Sequence, residues 1–447
     1  MNCGDTNSNA AYQAIVNMVD TITMKQKIFN TNTSKQVLLQ LILFFVLSSC
    51  SKNNNGGGSG TNDPLVLDDE ITIQANIDNQ VIEGFGCATV FAPPNTTALT
   101  PEEFDRLFGS GNGQVGLNFL RIRVASDDSW RATELNHAKL AIQRGAKILA
   151  TPWSPPARMK SNNNIIGGKL IPDSAAAYAK YLNDFADYMA ANAAPLYAIS
   201  VQNEPDWDPS YEGCVWTAAE MTNFLKNQGH LITSTRLVAP EIINNNQTYI
   251  NTILNDNAAV ANLDIVGTHL YGGGIVENPL AKTKGKEVWM TEHLDTSITY
   301  ASNMATAIEI HDCFTKANFN AYFWWYGKRF YGLIGQDGIV TKRGYIMSQF
   351  ARFIKPGSVR MGTNLNALAY VYISAYRNGT KKILVAINNR SDIVKQKFIV
   401  SNGTIGNVIP YVTTAGQNCE QGSIVTVSNN SFTYTLPPNS VTTFVEQ

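Results

Sequence analysis

Two glutamates stand in settings suited to acid–base and nucleophilic chemistry. Glu204 lies in Val201-Gln202-Asn203-Glu204-Pro205, and Glu292 in Trp289-Met290-Thr291-Glu292-His293. Two carboxyl groups facing each other across a sugar-sized gap can cleave a glycosidic bond. One protonates the leaving oxygen, and the other acts from the opposite side of the ring. At a separation of about 5–5.5 Å the second attacks the anomeric carbon itself and configuration is retained. A single strand-end glutamate is as readily a cap or an ion-pair partner; two in aromatic-rich strand ends of one fold argue for chemistry. Other strand-end candidates are His269 and Tyr271, Trp153, and Trp324-Trp325-Tyr326. Arg121 or Arg123 could hold a carboxylate ionised, whereas His269 and His293 suit orienting or packing roles better than catalysis. No His, Cys, Asp and Glu set has metal-ligand spacing, so the expectation is no metal and no cofactor.

A repeating unit must position these residues. Between 84 and 354 a short apolar run, a polar or Gly-rich loop and an amphipathic stretch recur eight times. The runs are 84–91 (GFGCATVF), 118–124 (NFLRIRV), 147–153 (KILATPW), 198–204 (AISVQNE), 236–241 (RLVAPE), 264–271 (DIVGTHLY), 287–293 (EVWMTEH) and 321–327 (AYFWWYG). Each has strand length and β-branched or aromatic enrichment. The clearest helix spans 174–192, with Tyr178, Tyr181, Leu182, Phe185 and Met189 at three- and four-residue spacings. Thr217 and Glu220 form a capping box for the next. Eight alternating units at this length predict a closed parallel (β/α)8 TIM barrel, about 250 residues in its usual form. An open doubly wound sheet would want a GxGxxG or P-loop after the first strand, and neither is there.

After Pro356 the pattern changes to short alternating runs at 369–374, 382–388, 397–400, 423–427, 432–436 and 442–445, separated by Gly, Asn and Pro turns. This predicts an antiparallel β-sandwich over 355–447. The stretch 70–81 (EITIQANIDNQV) also alternates, and the segment 70–83 is expected to pair with that sandwich. Four cysteines fall in these parts: Cys87, Cys214, Cys313 and Cys419. Their wide spacing gives no disulfide framework, and free buried thiols are at least as good a reading.

Of 447 residues, 34 are basic and 35 acidic, for a net charge of −1. Near-neutrality argues against a nucleic-acid partner. At 15% charged and 44% hydrophobic, the chain is no disordered segment, and its surface must lean on neutral polar groups. The run 37–47 (VLLQLILFFVL) is too short to span a membrane, which takes about 20 residues. Lysines 25, 27 and 35 precede it and Ser48-Ser49-Cys50 follow, the pattern of an export signal. Leu47-Ser48-Ser49-Cys50 also resembles the lipobox of bacterial lipoproteins, which implies lipidation at Cys50 and an exported, outer-membrane or secreted protein whose only tie to a membrane is its lipid. Residues 1–49 then read as an over-extended start plus signal, and 50–69 as a flexible polar tether.

The two glutamate motifs, with Trp153-Ser154-Pro155-Pro156, Trp324-Trp325-Tyr326 and Lys342-Arg343-Gly344-Tyr345, resemble glycoside hydrolase family 30 over about residues 70 to 447. The resemblance implies a retaining glycosidase with Glu204 as general acid/base and Glu292 as nucleophile. Asn203 would bond the sugar 2-hydroxyl, Tyr271 would donate to Glu292, and Trp153, Trp207, Trp325 and Tyr326 would offer aromatic faces to the substrate. The segment 324–332 (WWYGKRFYG) is similar to the glucuronoxylanase branch. That implies an endo-β-1,4-xylanase in which Arg329 and Tyr331, helped by Ser297 and Tyr326, hold the carboxylate of a glucuronic acid side group. Leu294 and Arg158 depart from that branch, where a Tyr and a Trp are usual, which bears on how strictly the side group is needed. The resemblance leaves two other readings: a β-glucosidase or β-1,6-glucanase of the same family, and a surface glycan-binding lipoprotein without catalysis. The expected partner is a polysaccharide, and the expected state a monomer.

Overall fold

Short apolar runs buried on both faces pair most readily side by side in parallel, covered by the helices that connect them. The computed structural model describes residues 69–91, 99–364 and 368–447. Cys50, the 37–47 run and the tether expected to end at residue 69 lie outside the described residues, but for Asp69 itself. The first element, β1 (Asp69–Ile82), belongs to a second sheet. The closed barrel follows: β2 (Gly84–Ala88), β3 (Phe119–Val124), β4 (Lys147–Pro152), β5 (Ala198–Ser200), β6 (Arg236–Ile242), β7 (Ile265–His269), β8 (Glu287–Glu292) and β9 (Ala321–Tyr326). Every neighbouring pair is parallel, and β9 closes on β2.

The fourth strand departs from expectation. It was expected over 198–204, but regular pairing ends at Ser200. Beyond it Val201 N still donates to Val238 O at 3.0 Å, and Glu204 N to Glu241 O at 2.9 Å. Glu204 itself turns into the left-handed region at φ 45°. That turn lifts the Glu204 side chain out of the strand's alternation.

Seven strands send one or two residues each into the base of the barrel. Phe119, Leu149, Ala198, Val238, Ile265, Trp289, Ala321 and Phe323 form one buried cluster there. Trp289 meets the ring of Phe119 at 5.0 Å and stacks on Tyr197 at 5.9 Å. This plug closes one end, so the side chains at the opposite, carboxyl ends of the strands have a rigid floor.

The connecting helices follow the expected chemistry. The helix Ala175–Ala191 buries Tyr178, Leu182, Phe185 and Met189. Thr217 and Glu220 cap the helix Ala218–Gln228 reciprocally. All four cysteines in the described residues are buried and free. Among the described residues no helix is long and apolar enough to cross a membrane.

The second sheet holds β1 with β10 (Ser358–Thr363), β11 (Val371–Asn378), β12 (Lys381–Asn388), β13 (Val394–Ser401), β14 (Val408–Thr413), β15 (Glu420–Gln421), β16 (Ser431–Leu436) and β17 (Ser440–Glu446). It is not purely antiparallel, because β1 enters from the far end of the chain and lies parallel to β13. The run 423–427, expected to be a strand, makes only an isolated bridge from Val425 to Val408. Phe398 on β13 and Phe444 on β17, far apart in sheet order, have ring centroids 5.0 Å apart. The nine strands therefore form one sheet curled around a core of its own.

Trp289→Ala should cost about 3–5 kcal/mol of unfolding free energy in urea melts, as expected for a large aromatic removed from a packed interior. A loss below about 1 kcal/mol would mean that the barrel floor is not packed as described.

Candidate active site

Four strand ends and one loop converge on Glu204 and Glu292. A carboxylate oxygen of each and a ring nitrogen of His269 all lie within 4.8 Å of one another. Arg121, from the middle of β3, is fully buried and reaches across the barrel. Its Nη1 donates to Glu292 Oε2 at 2.6 Å and its Nη2 to Asn203 Oδ1 at 2.8 Å. The same Nη2 lies 3.3 Å from Glu241 Oε1, and Nε donates to Thr151 Oγ1 at 3.2 Å. Tyr271 Oη donates to the other oxygen of Glu292, Oε1, at 3.0 Å. Of the two arginines considered, Arg121 holds Glu292, while Arg123 pairs with Glu212.

The two carboxyls live in different electrostatic settings. Glu204 has His269 Nδ1 at 3.0 Å and the Tyr211 hydroxyl as hydrogen-bond partners. Burial pushes its carboxyl up to about 8; Arg121 opposes the shift, and Asp206 and Glu241 add to it. His269 is itself pushed down by burial. Burial also raises the Glu292 carboxyl, with His269 and Arg121 pulling it back. The direct bond to a guanidinium, which keeps its proton at any ordinary pH, decides the contrast. Glu292 is the member stabilised as an anion and Glu204 the member able to hold a proton near neutrality.

The other candidates differ in exposure and in what they touch. Trp153 is only 3% exposed; Arg121 lies over its ring at 4.9 Å and Trp325 packs at 5.8 Å, so it walls the site from beneath. Trp325 and Tyr326 are nearly buried and pack on each other at 4.7 Å. Trp207, on the loop after Glu204, is 38% exposed and is the open aromatic face of the set. Arg329, Tyr331 and Ser297 sit on the loops after β9 and β8. The Arg329 guanidinium lies over the Tyr326 ring at 4.6 Å, and Tyr331 is buried. Gly332 closes the turn that begins at Arg329, and a Cβ on Gly332 would meet Arg329 N at 2.6 Å. His293 bonds Glu309 at 2.8 Å, away from the carboxyl pair. Leu294 packs on the core, and Arg158 is exposed.

Four residues around the site were given no role from sequence: Glu241, Tyr211, Lys160 and Arg343, the last quoted only within a motif. Glu241 ends the β6 run RLVAPE and carries the same strand-end signal as Glu204 and Glu292. Tyr211 lies in an irregular loop, where no periodicity marks it. Buried cations pin the loops. Lys160 Nζ donates to Ser154 Oγ, Ile165 O and Gly213 O at 2.9, 3.0 and 2.6 Å. Arg343 donates to the carbonyls of Asp295, Ser297 and Tyr331 and to Ser302 Oγ, with Trp324 under its guanidinium at 4.4 Å.

A barrel of this topology with two facing carboxyls defines the class as glycoside hydrolase. Residues 117–297 match the Glycosyl hydrolase family 30 TIM-barrel domain. Glucuronoxylanase XynC of Bacillus subtilis (strain 168) is 38% identical over 390 residues, covering 84% of this chain and 91% of that protein. The crystal structure of the family 30 subfamily 8 xylanase Xyn30A from Clostridium acetobutylicum superposes with TM-score 0.81 at 38% identity, covering 85% of this chain and 99% of that one. A GH30 endoxylanase from Clostridium papyrosolvens C71 gives TM-score 0.79 at 36% identity, covering 85% of this chain and 100% of that one. The chain belongs to glycoside hydrolase family 30.

Arg343→Ala should loosen the two loops that its guanidinium joins. Hydrogen exchange at 295–302 and 329–333 should accelerate while the amides of β3 and β8 stay protected. Unchanged protection in both loops would show that other contacts hold them.

Proposed function

We propose that this chain is a retaining endo-β-1,4-xylanase acting on glucuronic-acid-substituted xylan, with Glu204 as general acid/base and Glu292 as nucleophile. One observation carries the reading: oxygens of the two carboxyls approach within 4.8 Å, and only Glu292 is bonded to a guanidinium. Inverting enzymes leave about 6.5–9.5 Å between the pair for a water, so the short gap supports direct attack.

The first step follows from the partners. A Glu292 oxygen attacks the anomeric carbon as the glycosidic oxygen takes the proton of Glu204 and leaves. Arg121 and Tyr271 keep the attacking carboxylate ionised and aimed. In the second step Glu204, now a carboxylate, takes a proton from water, whose oxygen displaces Glu292 from the anomeric carbon. Asn203 has its Oδ1 committed to Arg121, which turns its amide donors toward a sugar hydroxyl. A hydrogen bond to the 2-hydroxyl strengthens in the transition state.

Substrate choice rests on the loops after β8 and β9 and on the similarity to glucuronoxylanase XynC. Arg329, stacked on Tyr326 beside Tyr331, suits a uronate carboxylate because its planar fork can bind both oxygens. Trp207 supplies an exposed aromatic face for a further sugar.

Mass analysis of products from glucuronoxylan should show one glucuronate on each oligosaccharide at a fixed distance from the cut. Equal cleavage of unsubstituted xylan would contradict the specificity, and glucose released from a β-1,6-glucan without xylan cleavage would replace it. Glu292→Ala should lower kcat by at least about 10⁴-fold with the melting temperature nearly unchanged; an active variant would remove the assignment of the nucleophile.

A further inference from the structure

A third carboxylate lies beneath the pair. Glu241 at the end of β6 is fully buried, and it sits at φ 53°, in the left-handed region that non-glycine residues seldom occupy. Three features show a seat built for it. Gly267 on the adjacent strand β7 leaves the space, since a Cβ there would come within 2.6 Å of Glu241 Cγ. Thr151 on β4 donates to its Oε2 at 3.0 Å. Ser200 on β5 and Thr291 on β8 are near enough to help lower its carboxyl, although neither hydroxyl makes a full hydrogen bond to it. Such a seat holds a charge that would otherwise cost several kcal/mol to bury.

We propose that Glu241 is a positioning residue for both members of the catalytic pair. It reaches each by a different route. Its side chain shares the Arg121 guanidinium with Glu292, at 3.3 and 2.6 Å, and so fixes where Arg121 lies. Its backbone carbonyl accepts from Glu204 N at 2.9 Å and helps hold that residue at φ 45°. The inference rests on the roles assigned to Glu204 and Glu292 above.

Its charge has a second effect. The charged and titratable groups around the three carboxyls include Arg121 on β3, Asp206 and Tyr211 after β5, His269 on β7, Tyr271 after it, and His293 after β8, which pairs with Glu309. Thr151 supplies a neutral donor. Arg121 is the cation of the set, and Glu241 offsets part of its field. Glu204 is pushed up by burial first, with Glu241 adding to the shift, and Glu241 is itself held below the ordinary range by Arg121 against burial. Removing the Glu241 charge therefore leaves Arg121 less compensated and lowers both carboxyls. Turnover needs a proton on Glu204, lost as pH rises, and a charge on Glu292, lost as pH falls. Both limbs of the pH–rate profile should move to lower pH.

Glu241→Gln is the test, read as sugar reducing ends released from glucuronoxylan across pH. The expected result is a fall in kcat of about 10–100-fold from misplacement, with KM little changed and both limbs shifted down. Glu241→Asp keeps the charge and should return the limbs to their original positions at reduced kcat. A fall in kcat with the limbs in place, or no change at all, would overturn the inference. Should Glu241→Gln not fold, Thr151→Val carries the test. It removes the hydroxyl between Arg121 and Glu241, so kcat should fall, and an unchanged kcat overturns the inference. Glu292→Ala run alongside separates two failures. Activity in that variant sinks the catalytic assignment itself, whereas an inactive Glu292→Ala beside an unaltered Glu241→Gln sinks only the role of Glu241.

Discussion

The guanidinium of Arg121 is the constraint on which the site depends. It is fully buried, it arises from the middle of a barrel strand, and it is shared by Glu292, Glu241, Asn203 and Thr151. An isolated charge in that position would be prohibitive, so the surrounding acids are required by physics before they are required by chemistry. Its placement also breaks the symmetry between two otherwise similar glutamates. The one it bonds directly is stabilised as an anion, and the one held by an imidazole and a phenol keeps its proton to higher pH.

The barrel supplies a rigid floor, and the loops are tied down by the same kind of interaction. The plug around Trp289 leaves the carboxyl ends of the strands as the open end. There Lys160 fastens the loops after β4 and β5, Arg123 pairs with Glu212 beside Tyr211, and Arg343 joins the loops after β8 and β9. Each is a buried cation satisfied largely by carbonyls or one acid, which fixes irregular backbone without regular pairing. Membership of glycoside hydrolase family 30 agrees with this frame. The curled second sheet, with β1 threaded beside β13, brings the start of the described chain back to its C-terminal segment.

Much of this was legible in the sequence where one signal sufficed. Eight apolar runs in regular alternation can close in few ways, and strand-end polarity picked out Glu204, Glu292, His269 and Tyr271. The same rule applied to RLVAPE would have found Glu241, which lacked a flanking amide or aromatic residue to draw attention. Tyr211 and Lys160 were beyond reach, because their partners come from loops whose path depends on tertiary contacts. In the second sheet the strand β14 was hidden by Pro410, which weakens strand character, while 423–427 alternates well yet finds only one bridging partner. Trp153 looked like a sugar platform by type and position, and its burial under Arg121 followed from a cation that sequence could only offer as one of two candidates.

The central claim is that Glu292 forms a covalent bond to the sugar while Glu204 handles protons. Incubation with a 2-deoxy-2-fluoro-xylobioside bearing an activated leaving group, followed by peptic digestion and mass spectrometry, tests it most directly. The account predicts a stable glycosyl adduct on the peptide containing Glu292. An adduct on the peptide containing Glu204, or turnover of the fluorosugar with inverted configuration and no adduct, would contradict it.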